Sequence, residues 1–265
     1  MTSSKLSLVE RFPRRGDTTM LDLFQHSSPE WLSYELSNAA ENLALDEALL
    51  DEMHDEMLGR CVVRTWMSSE PVVIVGSSSR LQKEVDCDAC NSLGVQIVRR
   101  SSGGATVVLG PGCLVWSVLF QLPAEFPSIE SIHTSVLSPL ARELGAFVFG
   151  IRRAGTSDLV VADRKVSGNA LRIKRRAVLY HGTLLDSLDL ELVSRVLKHP
   201  PREPGYRAGR EHAFFLSNLC LGRNVLELAI RRAFQANQVC SHRPQQRIDQ
   251  ILSQRYARDE WTERL

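Results

Sequence analysis

The sequence predicts one α/β domain in which a mixed or antiparallel sheet is flanked by helices. Short β-rich runs, broken by glycines and by Glu70 and Pro71, fill the stretch from about residue 60 to 185, and amphipathic helical patterns stand before, between and after them. There is no internal repeat and no second core-forming region. Hydrophobic residues make up 43% of the 265 positions, which is enough for one large core.

We expect three parts along the chain. Residues 1–28 mix Ser, Thr, Pro and Arg without periodicity, which predicts a flexible N-terminal arm. Residues 30–240 carry the regular patterns and form the domain. Residues 241–265 are charged and Gln-rich with few apolar side chains, so we expect a charged tail that forms at most a surface helix.

The first regular element is a helix that begins after Asn38. Asn38 and Glu41 form a capping-box pattern, and apolar residues follow at helical spacing. Asp46 falls on this apolar stripe, where an unpaired carboxylate would be costly. We therefore expect a buried hydrogen-bond partner for Asp46, with exposure to a functional site as the alternative.

The remaining elements follow from the alternation of apolar residues and turn signals. A helix is predicted over 129–144, ending at Gly145. Two further helices, near 190–197 and 225–236, bracket a Pro- and Arg-rich loop at 199–210. Strands are predicted over residues 61–66, 72–75, 95–99, 105–108, 114–122, 159–162, 166–173 and 177–185.

Composition excludes several classes of function. The 32 Lys and Arg nearly balance the 31 Asp and Glu, so a nucleic-acid partner is not expected. No apolar run approaches the roughly 20 residues of a membrane span, and no secretory signal is visible, so we expect a cytoplasmic protein without a membrane partner. The six cysteines are scattered and predicted to be reduced, and Cys87 and Cys90 lack the second pair that a structural zinc site needs.

A glycine turn between two β-rich runs is the sharpest local motif. Arg99 and Arg100 precede the pair Gly103 and Gly104, whose backbone can approach a ligand closely and donate N–H groups to an anion. The arginines would add positive charge. A strand connection with a glycine bulge is the alternative, and the pattern is neither a Walker motif nor a dinucleotide fingerprint.

Two further residues could take part in chemistry on a carboxylic acid. Lys165 stands at the start of a β-rich run just ahead of Gly168, where a cation can bind carboxylate and phosphate oxygens together. The alternative is an exposed lysine that serves solubility. His181 lies inside an apolar strand and is either a proton shuttle or a structural histidine.

Taken in order, these segments resemble the lipoate–protein ligase branch of the biotin/lipoate protein ligase superfamily. That family shows an Arg-Arg-x-Ser-Gly-Gly-Gly loop, an Asp…Lys-x-Ser-Gly-x-Ala segment and a His-Gly-Thr-Leu-Leu strand, which match residues 99–104, 158–170 and 181–185. The segments 42–48 and 71–76 also resemble the family, so the resemblance covers about residues 36–220. It implies the catalytic fold shared by biotin ligases and class II aminoacyl-tRNA synthetases.

The resemblance also implies roles for individual residues. Lys165 would be catalytic and contact the acyl carboxyl group and the α-phosphate, while Gly103 and Gly104 would shape the acyl pocket. Arg100 would lie along the adenylate. The remaining binding residues implied are Ala105, Thr106, Val107, Val108, Asp158, Gly168 and His181, with no protein-bound metal site.

The implied reaction activates lipoate or octanoate with ATP and Mg²⁺ and transfers the acyl group to a lysine of a lipoyl carrier domain, of the E2 or glycine-cleavage H type. Relatives often carry an accessory C-terminal domain, for which too few residues follow position 240, so a separate accessory polypeptide is a further expected partner. The sequence departs from the family at Ala105, at Leu109–Gly110 and at Ser79.

Three alternatives remain open at this stage. An octanoyltransferase would need a cysteine near residues 155–157, where the sequence has none. Biotin ligation would need a glycine loop richer in arginine. A non-catalytic binding member is favoured by the departures at Ala105 and Leu109–Gly110, because fold alone does not secure function.

Overall fold

The computed structural model describes residues 28–56, 60–123 and 127–265. The expected N-terminal arm, apart from residue 28, lies outside these residues. Within them, every helix is too short or too polar to cross a lipid bilayer.

Twelve strands and nine α-helices make up the described part of the chain. The strands are β1 (Glu30–Leu32), β2 (Val62–Met67), β3 (Val72–Val75), β4 (Gln96–Arg99), β5 (Val107–Leu109), β6 (Cys113–Gln121), β7 (Arg152–Ala154), β8 (Asp158–Val161), β9 (Arg164–Ser167), β10 (Asn169–Lys174), β11 (Ala177–Leu185) and β12 (Gln238–Val239). The helices are α1 (Ala39–Glu56), α2 (Leu81–Glu84), α3 (Cys87–Leu93), α4 (Ile129–Leu144), α5 (Leu190–Val196), α6 (His212–Phe215), α7 (Arg223–Phe234), α8 (Gln245–Ile251) and α9 (Asp259–Glu263), with a 3-10 turn at Gly205–Arg207 and a π-helical turn at Leu252–Tyr256.

The central sheet has six strands in the order β10-β11-β6-β2-β1-β12. Strands β6 and β11 form a nine-residue antiparallel ladder, whereas β1 runs parallel to both β2 and β12. Helices cover both faces, which explains why β6 is buried from end to end except for its last residue and β11 is buried throughout. The mixed sheet and flanking helices confirm the predicted fold class.

The predicted single sheet is in fact divided. Strands β3, β4 and β5 pair with one another in a separate sheet, and β7, β8 and β9 form a third. The run predicted as one strand over 166–173 is split at Gly168 between β9 and β10, which belong to different sheets. Pairing partners distant in sequence decide this division, and a local β pattern does not contain them.

Asp46 has the buried partner that the sequence predicts. Its Oδ1 lies 2.7 Å from Nη1 of Arg64 in β2 and accepts a hydrogen bond from the Ser117 hydroxyl at 3.0 Å. Arg64 is fully buried, and its Nη2 donates to Asn42 at 2.6 Å. This network fixes α1 on the central sheet and is structural.

Residues after 240 pack more closely than a charged tail would. Ile248 and Ile251 of α8 are buried against α1 in a core cluster that also contains Leu45 and Leu49. Isoleucines one helical turn apart give α8 an apolar face on α1, and its other side chains are exposed or partly exposed, as in a surface helix.

Candidate active site

The glycine loop, residues 100–106, connects β4 to β5, and the side chain of Arg100 holds its conformation by hydrogen bonds within the loop. The Arg100 Nη2 atom donates to the carbonyl oxygens of Gly103 at 2.6 Å and Ala105 at 3.0 Å, and Nε donates to Ser102 at 3.1 Å. Burial lowers the pKa of Arg100 to about 10, which leaves the guanidinium charged at neutral pH. Arg100 thus supplies positive charge at the cleft while most of its donors hold the loop.

Two glycines allow this loop to pack closely. Gly104 has a φ of +91°, and a Cβ added to Gly76 would lie 1.9 Å from the Gly104 carbonyl oxygen. Neither glycine can be replaced by a residue with a side chain without a shift of the backbone. A Cβ at Gly103 would meet nothing within 4 Å, so packing does not require glycine there.

His181 ties the glycine loop to the central sheet. Its Nε2 lies 2.6 Å from the Ser102 hydroxyl. Burial, assisted by the nearby charge of Arg100, lowers the pKa of His181 to about 3. The imidazole is therefore a weak base that stays neutral at physiological pH, and this weak basicity favours the structural interpretation of the histidine over the proton shuttle.

Lys165 in β9 pairs with Asp158 in β8. The Lys165 Nζ lies 2.9 Å from Oδ1 of Asp158, and the other carboxylate oxygen accepts a hydrogen bond from the Tyr206 hydroxyl at 2.7 Å. A Cβ added to Gly168 would lie 2.7 Å from the lysine Nζ. The glycine thus leaves the space in which the ammonium lies.

The loop and the lysine both line a cleft of about 380 Å³. The lining includes Lys165, Asp158, Gly168 and Asn169 from the segment that spans β8 to β10, and Arg100 and Gly104 from the glycine loop. Apolar side chains also line the cleft, among them Leu43, Trp66, Ile74, Leu109 and Val115. A molecule with an apolar chain and an anionic end matches this lining.

A second, smaller cavity of about 110 Å³ adjoins the cleft. Thr106, Val107, Lys165 and Gly168 line both spaces, whereas Val108, Leu185 and Phe215 line only the smaller one. Lys165 therefore stands at their junction. The structure brings together ten of the predicted residues in the linings of the two cavities: Arg100, Gly104, Ala105, Thr106, Val107, Val108, Asp158, Lys165, Gly168 and His181.

The Pro- and Arg-rich loop forms another wall. Arg202 and Pro204 line both cavities, and Tyr206 holds Asp158. Burial raises the pKa of the Tyr206 phenol, so the hydroxyl stays protonated and donates. The sequence pattern predicted this segment only as a loop between two helices.

Glu84 is another residue that the sequence reasoning missed. It is 8% exposed, and its Oε2 accepts hydrogen bonds from both the backbone N–H and the hydroxyl of Thr106, at 2.9 and 2.7 Å. Glu84 fixes the end of the glycine loop where it enters β5. Its position at the end of a four-residue helix gave no sequence signal.

None of the six cysteines, all of them in the described part of the chain, lines either cavity. Burial raises the pKa of Cys113 to about 12 and that of Cys90 to about 11, so these thiols are not nucleophilic at neutral pH. Among the described residues, no group of three or more His, Cys, Asp or Glu side chains could hold a metal ion.

Comparison with known proteins places the site in a family. The model of the lipoyl protein ligase A/B catalytic domain matches residues 38–219. The chain belongs to this family. The match includes the glycine loop, Asp158, Lys165 and His181, and it confirms the resemblance inferred from the three motifs.

The relatives of this lipoyl protein ligase A/B domain carry two kinds of name. One from Aeropyrum pernix, named as a lipoate-protein ligase A, is 33% identical over 156 residues, which cover 59% of this chain and 57% of that protein. Octanoyltransferase LipM from Carboxydothermus hydrogenoformans is 27% identical over 260 residues, covering 84% and 94%. The chain thus spans little more than half the length of the Aeropyrum relative.

Solved structures of the same kind share the fold. The bi-partite lipoate protein ligase of Thermoplasma acidophilum has a TM-score of 0.76 at 20% identity, covering 90% of this chain and 97% of that chain. A lipoate-protein ligase A bound with ATP gives 0.76 at 20% identity, covering 89% and 98%. At such identities the likeness establishes the architecture of the domain.

Proposed function

We propose that this chain activates lipoate or octanoate with ATP and transfers the acyl group to a lysine of a lipoyl carrier domain. The observation that carries the proposal is the position of Lys165, whose ammonium lies at the junction of an apolar cleft and a second cavity. An acid in the cleft and a nucleotide in the second cavity would both bring oxygens to this cation.

The acyl chain fits the larger cleft. Leu43, Trp66 and Ile74 would surround its methylene groups, and each buried methylene contributes about 0.8 kcal/mol to binding. The carboxylate would then face Lys165. The nucleotide would lie along Ala105, Thr106, Val107 and Val108, which line the smaller cavity.

In the activation step, a carboxylate oxygen of the acid attacks the α-phosphorus of ATP. The bond from that phosphorus to the bridging oxygen breaks, and pyrophosphate leaves with the electron pair. The positive charge of Lys165 would offset negative charge on the reacting oxygens, while Asp158 and Tyr206 hold the ammonium in place. Magnesium would enter with the nucleotide phosphates, since the described residues offer no metal-binding group of their own.

In the transfer step, the amine of the acceptor lysine attacks the acyl carbon. The bond from that carbon to the phosphate oxygen breaks, AMP leaves, and the amine loses a proton to solvent. His181 is a poor proton acceptor for this step, because burial lowers its pKa to about 3 and its Nε2 is hydrogen-bonded to Ser102. Positioning and charge stabilisation are the contributions of the protein.

Transfer of octanoate from an acyl carrier protein is the second candidate. The relative named octanoyltransferase LipM aligns over 94% of its length, which favours this function. A covalent thioester route would need a thiol at the cleft, and no cysteine of this chain lines it. The cleft therefore supports activation through an adenylate better.

Three acyl donors offered in parallel test the proposal. The purified protein is given an apo lipoyl domain of the E2 or H type and one of three donors: free acid plus ATP and Mg²⁺, synthetic lipoyl-adenylate, or octanoyl carrier protein. Mass spectrometry then measures the mass of the lipoyl domain. We expect modification from the first two donors. Product from the adenylate alone would assign activation to a separate accessory polypeptide, and product from the carrier alone would refute the ligase mechanism.

A further inference from the structure

The last fourteen residues, 252–265, lie against the outer side of the glycine loop, and we call them the C-terminal brace. Two reciprocal hydrogen bonds join the brace to Arg99. The indole Nε1 of Trp261 donates to the Arg99 carbonyl oxygen at 2.6 Å, and Arg99 Nε donates to the Thr262 carbonyl oxygen at 2.9 Å. Arg99 immediately precedes the loop, so the brace contacts the loop where the loop begins.

Trp261 is oriented by charged neighbours within the brace. The guanidinium of Arg264 lies 3.7 Å from the centre of a Trp261 ring and that of Arg255 lies 4.5 Å from it, both within the range of cation–π attraction. Arg255 also pairs with Glu47 of α1, and the Tyr256 hydroxyl lies 3.2 Å from the same carboxylate. The brace is therefore anchored to the body of the domain.

Arg99 also contacts the turn that packs on Gly104, a residue of the loop that lines the cleft. It is fully buried, and its Nη1 donates to the carbonyl oxygens of Gly76 at 2.8 Å and Ser79 at 2.7 Å. Gly76 packs directly on Gly104, and the Ser79 hydroxyl donates to the Gly104 carbonyl at 3.2 Å. Trp261 is thus connected to Gly104, which lines the cleft, through Arg99 and the turn at residues 76–79.

We propose that Trp261 is a positioning residue for the glycine loop, acting through Arg99. The identity of the ligand rests on the function proposed above, whereas the effect on the loop does not. Arg99 cannot contact the ligand itself, because it is buried and its hydrogen bonds run to this turn and to the brace. The brace would keep the loop in the conformation that the acid and the nucleotide require.

Hydrogen exchange in the full chain tests this proposal directly. The variant Trp261→Phe keeps an aromatic ring near the two arginines and removes the indole N–H together with the five-membered ring that carries it. The control Arg247→Ala removes the ion pair between Arg247 of α8 and Asp55 of α1. This ion pair contacts neither Arg99 nor the loop. The amides to follow are those of Ser77, Arg100 and Thr106, each hydrogen-bonded at the base of the loop.

We expect these amides to exchange about fivefold faster in Trp261→Phe, because the hydrogen bond that is lost holds the start of the loop. The control should leave their exchange unchanged. The dissociation constant for octanoic acid should rise by a similar factor in Trp261→Phe alone, with kcat within about twofold of wild type.

Unchanged exchange at these amides in Trp261→Phe would overturn the proposal, even if the melting temperature fell. Equal acceleration in the Arg247→Ala control would overturn it too, because the effect would then be general destabilisation. If the wild-type protein bound neither octanoic nor lipoic acid, the proposed function would fail, and the exchange measurement would still decide the role of Trp261.

Discussion

The hydroxyl of Tyr206 lies 2.7 Å from the carboxylate of Asp158, whose other oxygen lies 2.9 Å from the ammonium of Lys165. One carboxylate thus connects a loop tyrosine to the cation at the centre of the cleft. The position of Lys165 depends on the Pro- and Arg-rich loop as well as on its own strand.

Removing the Tyr206 hydroxyl should impair catalysis. In Tyr206→Phe the ring still packs against Phe215, but Asp158 loses the donor that orients it. Because a hydrogen bond to a charged group is worth about 1.5–3 kcal/mol, we expect kcat/KM for the acid to fall by at least about tenfold. Steady-state kinetics with free octanoate and ATP measures this, with Tyr34→Phe as the control. Unaltered kinetics in Tyr206→Phe would show that the hydroxyl does not position Asp158.

A methyl group at Gly168 should displace the lysine. The added Cβ would lie 2.7 Å from both Cε and Nζ of Lys165, at the flexible end of that side chain, so the fold can adjust at little cost. We expect Gly168→Ala to melt within a few degrees of wild type and to lose about 100-fold in kcat, as when an electrostatic contact is lost. In Gly205→Ala the new Cβ meets nothing within 4 Å, which makes it the matched control. Equal activities of the two variants would contradict the placement of the ammonium.

The sequence motifs identified site residues that stand in short characteristic segments. Lys165, Gly168 and His181 are of this kind, and each lines the cleft. Tyr206 acts on Asp158 across 48 positions and Glu84 on Thr106 across 22, from segments that lack a motif of their own. Such pairings depend on how the chain closes in space.

The C-terminal packing could not be predicted for the same reason. Trp261 meets the Arg99 carbonyl across 162 positions, and the charged composition of the last residues suggested solvent exposure. Likewise, Arg172 and Lys174, two basic residues of β10, pair with Glu47 and Asp51 of α1. Composition reveals the charges of these side chains but not their partners.

The neutral, buried state of His181 should make stability depend on pH. Its folded pKa of about 3 lies below the ordinary value of 6.5, so the unfolded chain binds the proton first. This contribution to stability is present above pH 6.5 and is lost as the pH falls toward 3. When the pH is lowered from 7 to 5, the free energy of unfolding measured with urea should fall by up to about 2 kcal/mol more in wild type than in His181→Gln. A control, His199→Gln, should behave like wild type; equal losses in all three proteins would refute a buried neutral His181.

Replacement of the cysteines should leave catalysis intact. Cys220→Ser changes an exposed thiol and Cys113→Ala a buried one, and neither residue lines the cleft. We expect both variants to keep kcat within about twofold, since neither thiol touches the reacting groups. The measurement is the rate of lipoyl-domain modification from free octanoate and ATP. A loss of more than about 100-fold in either variant, with the melting temperature retained, would indicate a thioester intermediate.

The most direct test of acyl-adenylate formation is the exchange of labelled pyrophosphate into ATP, measured without any acceptor domain. If the chain forms an acyl-adenylate, the exchange will occur when lipoate or octanoate is present, and Lys165→Ala will abolish it. The control Lys83→Ala will preserve the exchange, because Lys83 lies on α2 and lines neither cavity. Absence of exchange in the wild-type protein, together with modification of the lipoyl domain from octanoyl carrier protein, would show that the chain transfers the acyl group without forming an adenylate.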